Sequence, residues 1–264
     1  MRIRSVVIFA GILLVPATAL QAQQSQEELA KAAANPLENM INVPFQNNTN
    51  FGIGPYDRTS NVLNIQPVIP LAGGKIITRT IVPIVWIPDV TAESGMASTG
   101  LGDILFTGWW VPGKSSLLWG IGPVLGIPTG GESRGSQKWT LGPSLVIVAA
   151  PPKWTIGGLA NNVWSFAGDS DADDVNQGLL QYFVTRQLGQ GWYVNTAPII
   201  TVDWEAEDGQ KWIVPFGAGA GKIIKFGKLP VNTQVGAYYN VVKPDAGPNW
   251  QLRVQVQFMF PTGG

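Results

Sequence analysis

Neither cysteine nor histidine occurs in the 264 residues. No disulfide can staple the fold, thiolate and imidazole metal sites are ruled out, and so is serine hydrolysis through a histidine base. Charge is scarce as well: Asp, Glu, Lys and Arg make up 13% of the chain, against about 25% in soluble proteins, while 45% is hydrophobic. A surface with so few charges points to lipid rather than water. Beyond the first residues no apolar run reaches the roughly 18 residues that a membrane helix needs, so contact with lipid would have to come from strands. There is no basic stripe either, with 17 Lys and Arg against 17 Asp and Glu. Nucleic acid is therefore not an expected partner, because nothing would neutralise its phosphates.

The chain opens with Arg2 and Arg4, an apolar run from Val6 to Val15 and small residues at Ala17, Ala19 and Ala22. This pattern predicts an export signal over residues 1–22, cleaved after Ala22, with Ala19 as the alternative. Residues 23–49 form a polar, helix-favouring segment. Ser25 with Glu28, and Asn35 with Pro36 and Glu38, have the spacing of two helix starts, which predicts two short helices. Two roles fit the segment, a plug in the mouth of a barrel or a leader packed on its rim.

From residue 50 to 264 the pattern is one of strands and turns. The last strand, Trp250 to Phe260, places Leu252, Val254, Val256, Phe258 and Phe260 on one face and Gln251, Arg253, Gln255 and Gln257 on the other. That period of two, over about ten residues and ending in aromatics, is the pattern of a strand crossing a bilayer in a closed barrel. Twelve such strands are expected, from 50–56 to 250–260, with 60–70, 100–111 and 192–205 read as continuous. Short turns at one end alternate with longer polar loops at the other, as in outer-membrane barrels. All 11 Trp fall near strand ends on this map: Trp86, Trp139, Trp164, Trp204, Trp212 and Trp250 by the longer loops, and Trp109, Trp110, Trp119, Trp154 and Trp192 by the short turns. Indole favours the membrane interface, so the expectation is two girdles. Prolines 67, 83, 123, 143, 198 and 215 interrupt strands and should mark bulges, since a closed barrel has no edge to hold them. The fold class expected is thus all-β, an antiparallel transmembrane barrel of about twelve strands.

Polar residues on the inner faces are the candidate solute contacts: Asn64, Gln66, Arg79, Asp103, Gln177, Gln181, Asn195, Asp203, Asn232, Gln234, Tyr238, Asn240, Arg253 and Gln255. Arg79, Arg186 and Arg253 could face Asp103, Asp203 and Glu205 across the lumen, either as a field that orients a dipolar solute or as pairs that satisfy buried charge. Asp169, Asp171, Asp173 and Asp174 alternate in one outer loop as calcium ligands can, although the distal Glu of an EF-hand is missing; the other reading is a solvated acidic loop bridged to lipid phosphates. Gly217 to Gly221 reads GAGAG, but it lacks the Gly, the Ser or Thr and the following helix of a phosphate loop. Small residues alternating on a strand fit the close approach of a plug or a neighbouring side chain.

Several phrases resemble a known family: NPLENMINVPFQNNTNFGIGPYDRTSNVLNIQPVIPL at 35–71, GLGDILFTGWWVP at 100–112, WGIGPVLGIPTG at 119–130 and KLPVNTQVGAYYNVVKPDAGPNWQLRVQVQFMFP at 228–261. Together with residues 153–183 they are similar to the bacterial outer-membrane family called "MetA-pathway of phenol degradation", whose members are often labelled transporters and sometimes mislabelled neuromedin U. The resemblance implies a barrel in the outer membrane of a Gram-negative bacterium and transport of small, aromatic or weakly polar compounds. It supplies no residue-level site.

The expected function is therefore passive passage of small solutes, and the alternative is a structural or adhesive barrel with a filled lumen. No enzyme, cofactor or energy-coupling motif is expected, because no Asp/Glu pair or Ser/Lys constellation stands out. The expected partners are the lipid bilayer and lipopolysaccharide, the barrel-assembly machinery through the C-terminal strand, and the solute.

Overall fold

The structure, a computed structural model, describes residues 17–91, 97–113, 116–227 and 229–260, with the side chains of 17–25 excepted. Most of the expected signal, residues 1–16, lies outside the described residues. One helix, α1 (Ala17–Ala34), precedes fifteen strand segments. These are β1 (Ile41–Ile53), β2 (Arg58–Ile65), β3 (Val68–Leu71), β4 (Ile76–Ile87), β5 (Ser98–Leu101), β6 (Ile104–Trp110), β7 (Leu117–Ile127), β8 (Lys138–Ala149), β9 (Trp154–Gly168), β10 (Asn176–Gly189), β11 (Trp192–Thr196), β12 (Ile199–Asp203), β13 (Trp212–Phe226), β14 (Leu229–Val242) and β15 (Trp250–Phe260). The pairs β2–β3, β5–β6 and β11–β12 are each one strand with a break. The result is a twelve-stranded antiparallel barrel, closed where β1 pairs with β15 from Ile41↔Phe260 to Phe51↔Trp250.

Alternation builds the wall. In β8, Trp139, Leu141, Leu145 and Ile147 are exposed on the outside, while Thr140, Ser144, Val146 and Val148 are buried inside. The outer surface is apolar around the ring, with Leu180, Phe216, Val235 and Val254 among its exposed side chains. Such a surface is unfavourable in water and suits hydrocarbon. Among the polar groups that interrupt it, Asn47 and Asn61 exchange amide hydrogen bonds of 2.8 and 2.9 Å, and Asn61 also donates to Thr49 at 2.9 Å. Each amide is satisfied by its neighbour, which is what an apolar surrounding demands.

Three expectations are corrected. The barrel begins at Ile41 rather than at residue 50, so the N-terminal segment is shorter than 23–49. The segment holds a single helix instead of two, and Ser25 lies inside it. Asn35 does make the expected local bonds, accepting from Leu37 N at 3.0 Å and donating to Glu38 at 3.1 Å. No helix follows, however, because the chain turns into β1 within a few residues.

Trp109 departs from the girdles. It is only 1% exposed, points into the barrel and donates from Nε1 to Ser144 Oγ at 3.0 Å. Its neighbour Trp110, 54% exposed, takes the outward place and meets Trp119 edge to face. Successive residues of a strand face opposite ways, so only one of the two can reach lipid.

The prolines divide. Pro67 and Pro198 fall in strand breaks and Pro215 at a register shift, and Pro83 accepts a bond from Gly102 N beside the β5–β6 break. Pro123 and Pro143 instead face each other inside unbroken strands.

Candidate functional site

The N-terminal segment enters the barrel at its short-turn end. Leu37 is buried among Val68, Ile77, Trp109, Val146, Val148, Leu159 and Phe183. Ala30 and Met40 pack on Tyr193, Ile223 and Met259 from the other side of the ring. Inward positions near this end are apolar because they meet the segment and not water. Glycine makes the room: a Cβ at Gly120 would stand 3.3 Å from Leu37 Cδ2 and 3.0 Å from Trp109 Cβ.

A cavity of about 160 Å³ lies directly on this segment, with Ala33, Ala34, Asn35 and Pro36 in its lining. Eight of the sequence candidates line it: Gln66, Arg79, Gln181, Asn195, Asn232, Gln234, Arg253 and Gln255. Two networks hold its polar wall. In the first, Gln257 donates to Asn42 at 3.2 Å, Asn232 donates to Gln257 at 3.0 Å, and Tyr193 Oη donates to Asn232 at 2.7 Å. Tyr193 must lie flat across β13 to reach Asn232, and the GAGAG run permits it: Gly217, Gly219 and Gly221 face inward, and a Cβ at Gly221 would come within 2.2 Å of Tyr193 Oη. The close approach expected of that run is thus made by Tyr193.

Arg253 centres the second network. It donates from Nε to Asn48 Oδ1 at 3.2 Å, from Nη1 to Ala197 O at 2.8 Å and from Nη2 to Gln251 Oε1 at 3.1 Å. Its guanidinium stacks over Tyr238, 4.6 Å from the ring centroid. The Ala197 carbonyl points inward because Pro198 interrupts the strand there, as the loss of a ladder donor requires. Arg79 donates to Gln66 Oε1. Neither guanidinium has a carboxylate partner among the described residues; Asp174 pairs with Lys138 and Asp208 with Lys211.

A second cavity of about 530 Å³ lies on the loop side, at inward positions further along the same strands. Asp103, Gln177 and Asp203 line it. Asp103 accepts from Gly130 N at 2.9 Å, Ser136 N at 2.6 Å and Ser136 Oγ at 2.8 Å, and so pins the loop after β7. Asp203 accepts from Gln177 at 3.3 Å.

The remaining candidates do other things. Asn64 sits on the inner face, paired with Gln46, outside both cavities. Tyr238 is the platform under Arg253, and Asn240 donates to Pro248 O at 2.8 Å, tying down the last loop. Neither of the two readings of these charges, a transverse field or mutual pairs, matches their placement: Arg79 and Arg253 line the inner cavity and Asp103 and Asp203 the outer. Arg186 is on the outer wall, 5.1 Å from the Trp154 ring, and Glu205 is exposed in a loop. The four loop aspartates do not converge. Asp169 accepts from Asp171 N, whereas Asp174 turns to Lys138 and Ser165, and no group of three or more metal-ligating side chains gathers among the described residues. In another loop, Asp89 accepts from the hydroxyl and amide of Thr91, which holds its carboxyl below the ordinary range.

Sequence reasoning missed Asn42, Gln46 and Asn48, which line or brace the inner cavity from β1. The signal was present: in INVPFQNNTNF the polar residues 42, 46, 48 and 50 share one face and Ile41, Val43, Phe45 and Phe51 the other. Helix-start spacing just before it drew the boundary too late.

No family model matches the chain, and no curated protein does. Among solved structures, the COG4313 outer membrane channel from Pseudomonas putida F1 superposes with a TM-score of 0.58 at 16% identity, covering 84% of this chain and 94% of that one. The NanC porin gives 0.56 at 7% identity, covering 84% of this chain and 100% of that one. At these identities the likeness shows a shared fold, the closed antiparallel β-barrel.

Proposed function

We propose that this chain is an outer-membrane channel for the passive passage of small solutes, a member of the phenol-degradation family that its sequence resembles, and that residues 23–38 form its plug. The observation that carries the reading is the stack of two cavities inside one barrel, the inner one floored by the N-terminal segment. A lumen that is roomy on the loop side and narrow over a docked segment is an arrangement for admitting a small molecule and controlling its exit. Twelve strands fall between the side-chain-filled barrels of about eight and the open porins of about 16. The amide and tyrosine lining suits small polar or aromatic solutes. No catalytic role is proposed. Export by the N-terminal signal, insertion through the C-terminal strand and contact with lipopolysaccharide complete the reading.

One observation favours a second reading. Leu37 and Ala30 are 5% and 1% exposed, so the segment is docked as firmly as a core element, which suits a barrel with a permanently filled lumen. Single-channel recording on the refolded mature protein, beside a form lacking residues 23–38, separates the two. The channel reading expects small or rare steps from the full chain and large, steady steps after truncation. Silence from both, with folded barrels, would leave the filled barrel standing.

A further inference from the structure

Burying a guanidinium without a counter-charge is costly, yet two line the same small cavity. Arg253 is 4% exposed, and its partners are two amides, a backbone carbonyl and a tyrosine ring. Arg79 is partly exposed at the cavity wall and held by one amide oxygen. No Asp or Glu lines this cavity. Glu38, on the plug, is bonded to Asn35 instead. Asp103 and Asp203 belong to the outer cavity. An uncompensated double positive charge is a poor stabiliser and a good trap for an anion.

The remaining wall gives the anion a shape. Arg253 on β15 and Arg79 on β4 lie on one side of the ring, separated by β1 and by β2–β3, whose Gln46 and Gln66 also face the cavity. Leu159 and Phe183, on β9 and β10, supply an apolar surface to the same cavity. The volume of about 160 Å³ is close to the roughly 150 Å³ cavity that holds one benzene ring. A planar carboxylate matches the fork of a guanidinium, and an aromatic body matches Leu159 and Phe183. Asn195 Oδ1 is buried and without a partner, so the amide is free to turn toward a polar group of a ligand.

We propose that the inner cavity is a binding site for a small aromatic monocarboxylate, its carboxylate held by Arg79 and Arg253 and its ring against Leu159 and Phe183. The proposal rests on the channel reading only in requiring that the cavity be reached from solution.

The test is calorimetric titration of the refolded mature protein in detergent with benzoate and with benzamide, which has the same shape but no charge. The site expects saturable binding of one benzoate, with benzamide weaker by about tenfold or more, as loss of a charge-assisted contact implies. The double variant Arg79→Gln/Arg253→Gln should erase that preference. Arg79→Lys/Arg253→Lys keeps the charge and should retain part of it, which a purely structural role for the arginines would not produce. Heat-dependent gel mobility reports whether each barrel is folded. Should the Gln variant not fold, the wild-type ratio and the Lys variant decide. Equal affinity for benzoate and benzamide, binding of neither, or a preference that survives in a folded Gln variant would overturn the site. Conductance without benzoate preference would sink this site and leave the channel reading; benzoate preference in a barrel that never conducts would do the reverse.

Discussion

Toward the short turns, the lumen is closed by packing: Leu37, Ala30 and Met40 fill the space between Ile77, Trp109, Val146, Ile223 and Met259. Toward the long loops it is held open by hydrogen bonds and charge, with Asp103 accepting three bonds from the loop after β7 and Lys138 meeting Asp174 at 3.5 Å. The same strands build both halves. The difference lies in what each inward position meets, a docked segment on one side and water and loops on the other. It teaches that a barrel lumen can combine a close-packed core with an open vestibule braced by hydrogen bonds, and that the two halves should fail differently.

Leu37→Ala should have the largest effect. It removes the side chain that anchors the N-terminal segment, and loosening of about 2–4 kcal/mol is expected from a large-to-small core change. Limited proteolysis should then cut the N-terminal segment while the barrel stays intact, and conductance should rise. An uncut segment would mean that docking rests elsewhere. Gly221→Val comes next, because any Cβ there meets Tyr193 Oη at 2.2 Å. Overpacking should cost about 1–3 kcal/mol, seen as a lower urea midpoint in unfolding, and Tyr193→Ala in the same chain should recover part of it. An additive pair would show that the two residues do not compete for space.

In the outer half, Asp103→Asn replaces charge-assisted bonds with neutral ones. The loss is about 1–2 kcal/mol and is local, so the amides of Gly130 and Ser136 should exchange faster with deuterium while the melting temperature hardly moves. A global loss as large as that of Leu37→Ala would break the contrast between the halves. Asp174→Asn should do least. Its carboxylate is 82% exposed, and a pair of that kind contributes about 0.5 kcal/mol or less, screened by salt. A melting shift of several degrees would show that the loop aspartates act together.

Legibility followed the surroundings of each strand. Where one face meets lipid and the other polar lumen, as in β14 and β15, alternation identified the inward set, and Asn232, Gln234, Arg253 and Gln255 all line the inner cavity. In Ile76 to Ile87 the pattern was undecided, and the reason is physical: Ile77 faces the docked N-terminal segment and Ile76 faces out. Two apolar faces erase a period-two signal. β1 was missed over Ile41 to Thr49 for another reason, since local helix-start spacing at Asn35 to Glu38 stood beside it and long-range pairing with β15 overrode it. Arg186 was misplaced because a long cationic side chain at a strand end can lie against an interfacial Trp on the outside as easily as it can point inward.

By itself the sequence determined the class of fold, the twelve strands and most of the outward faces, including the aromatic girdles, because strand alternation and turn chemistry are local and repeat along the chain. It also excluded thiol and imidazole chemistry by composition alone. Tertiary structure decided which apolar face meets the N-terminal segment, that Trp109 turns inward, and that Arg79 and Arg253, 174 positions apart, line one cavity while the aspartates line another. Those outcomes depend on closing the ring between β1 and β15 and on docking residues 30–40 inside it. Ring closure brings together strands from opposite ends of the chain, and no local pattern records which inner face will be covered once it closes.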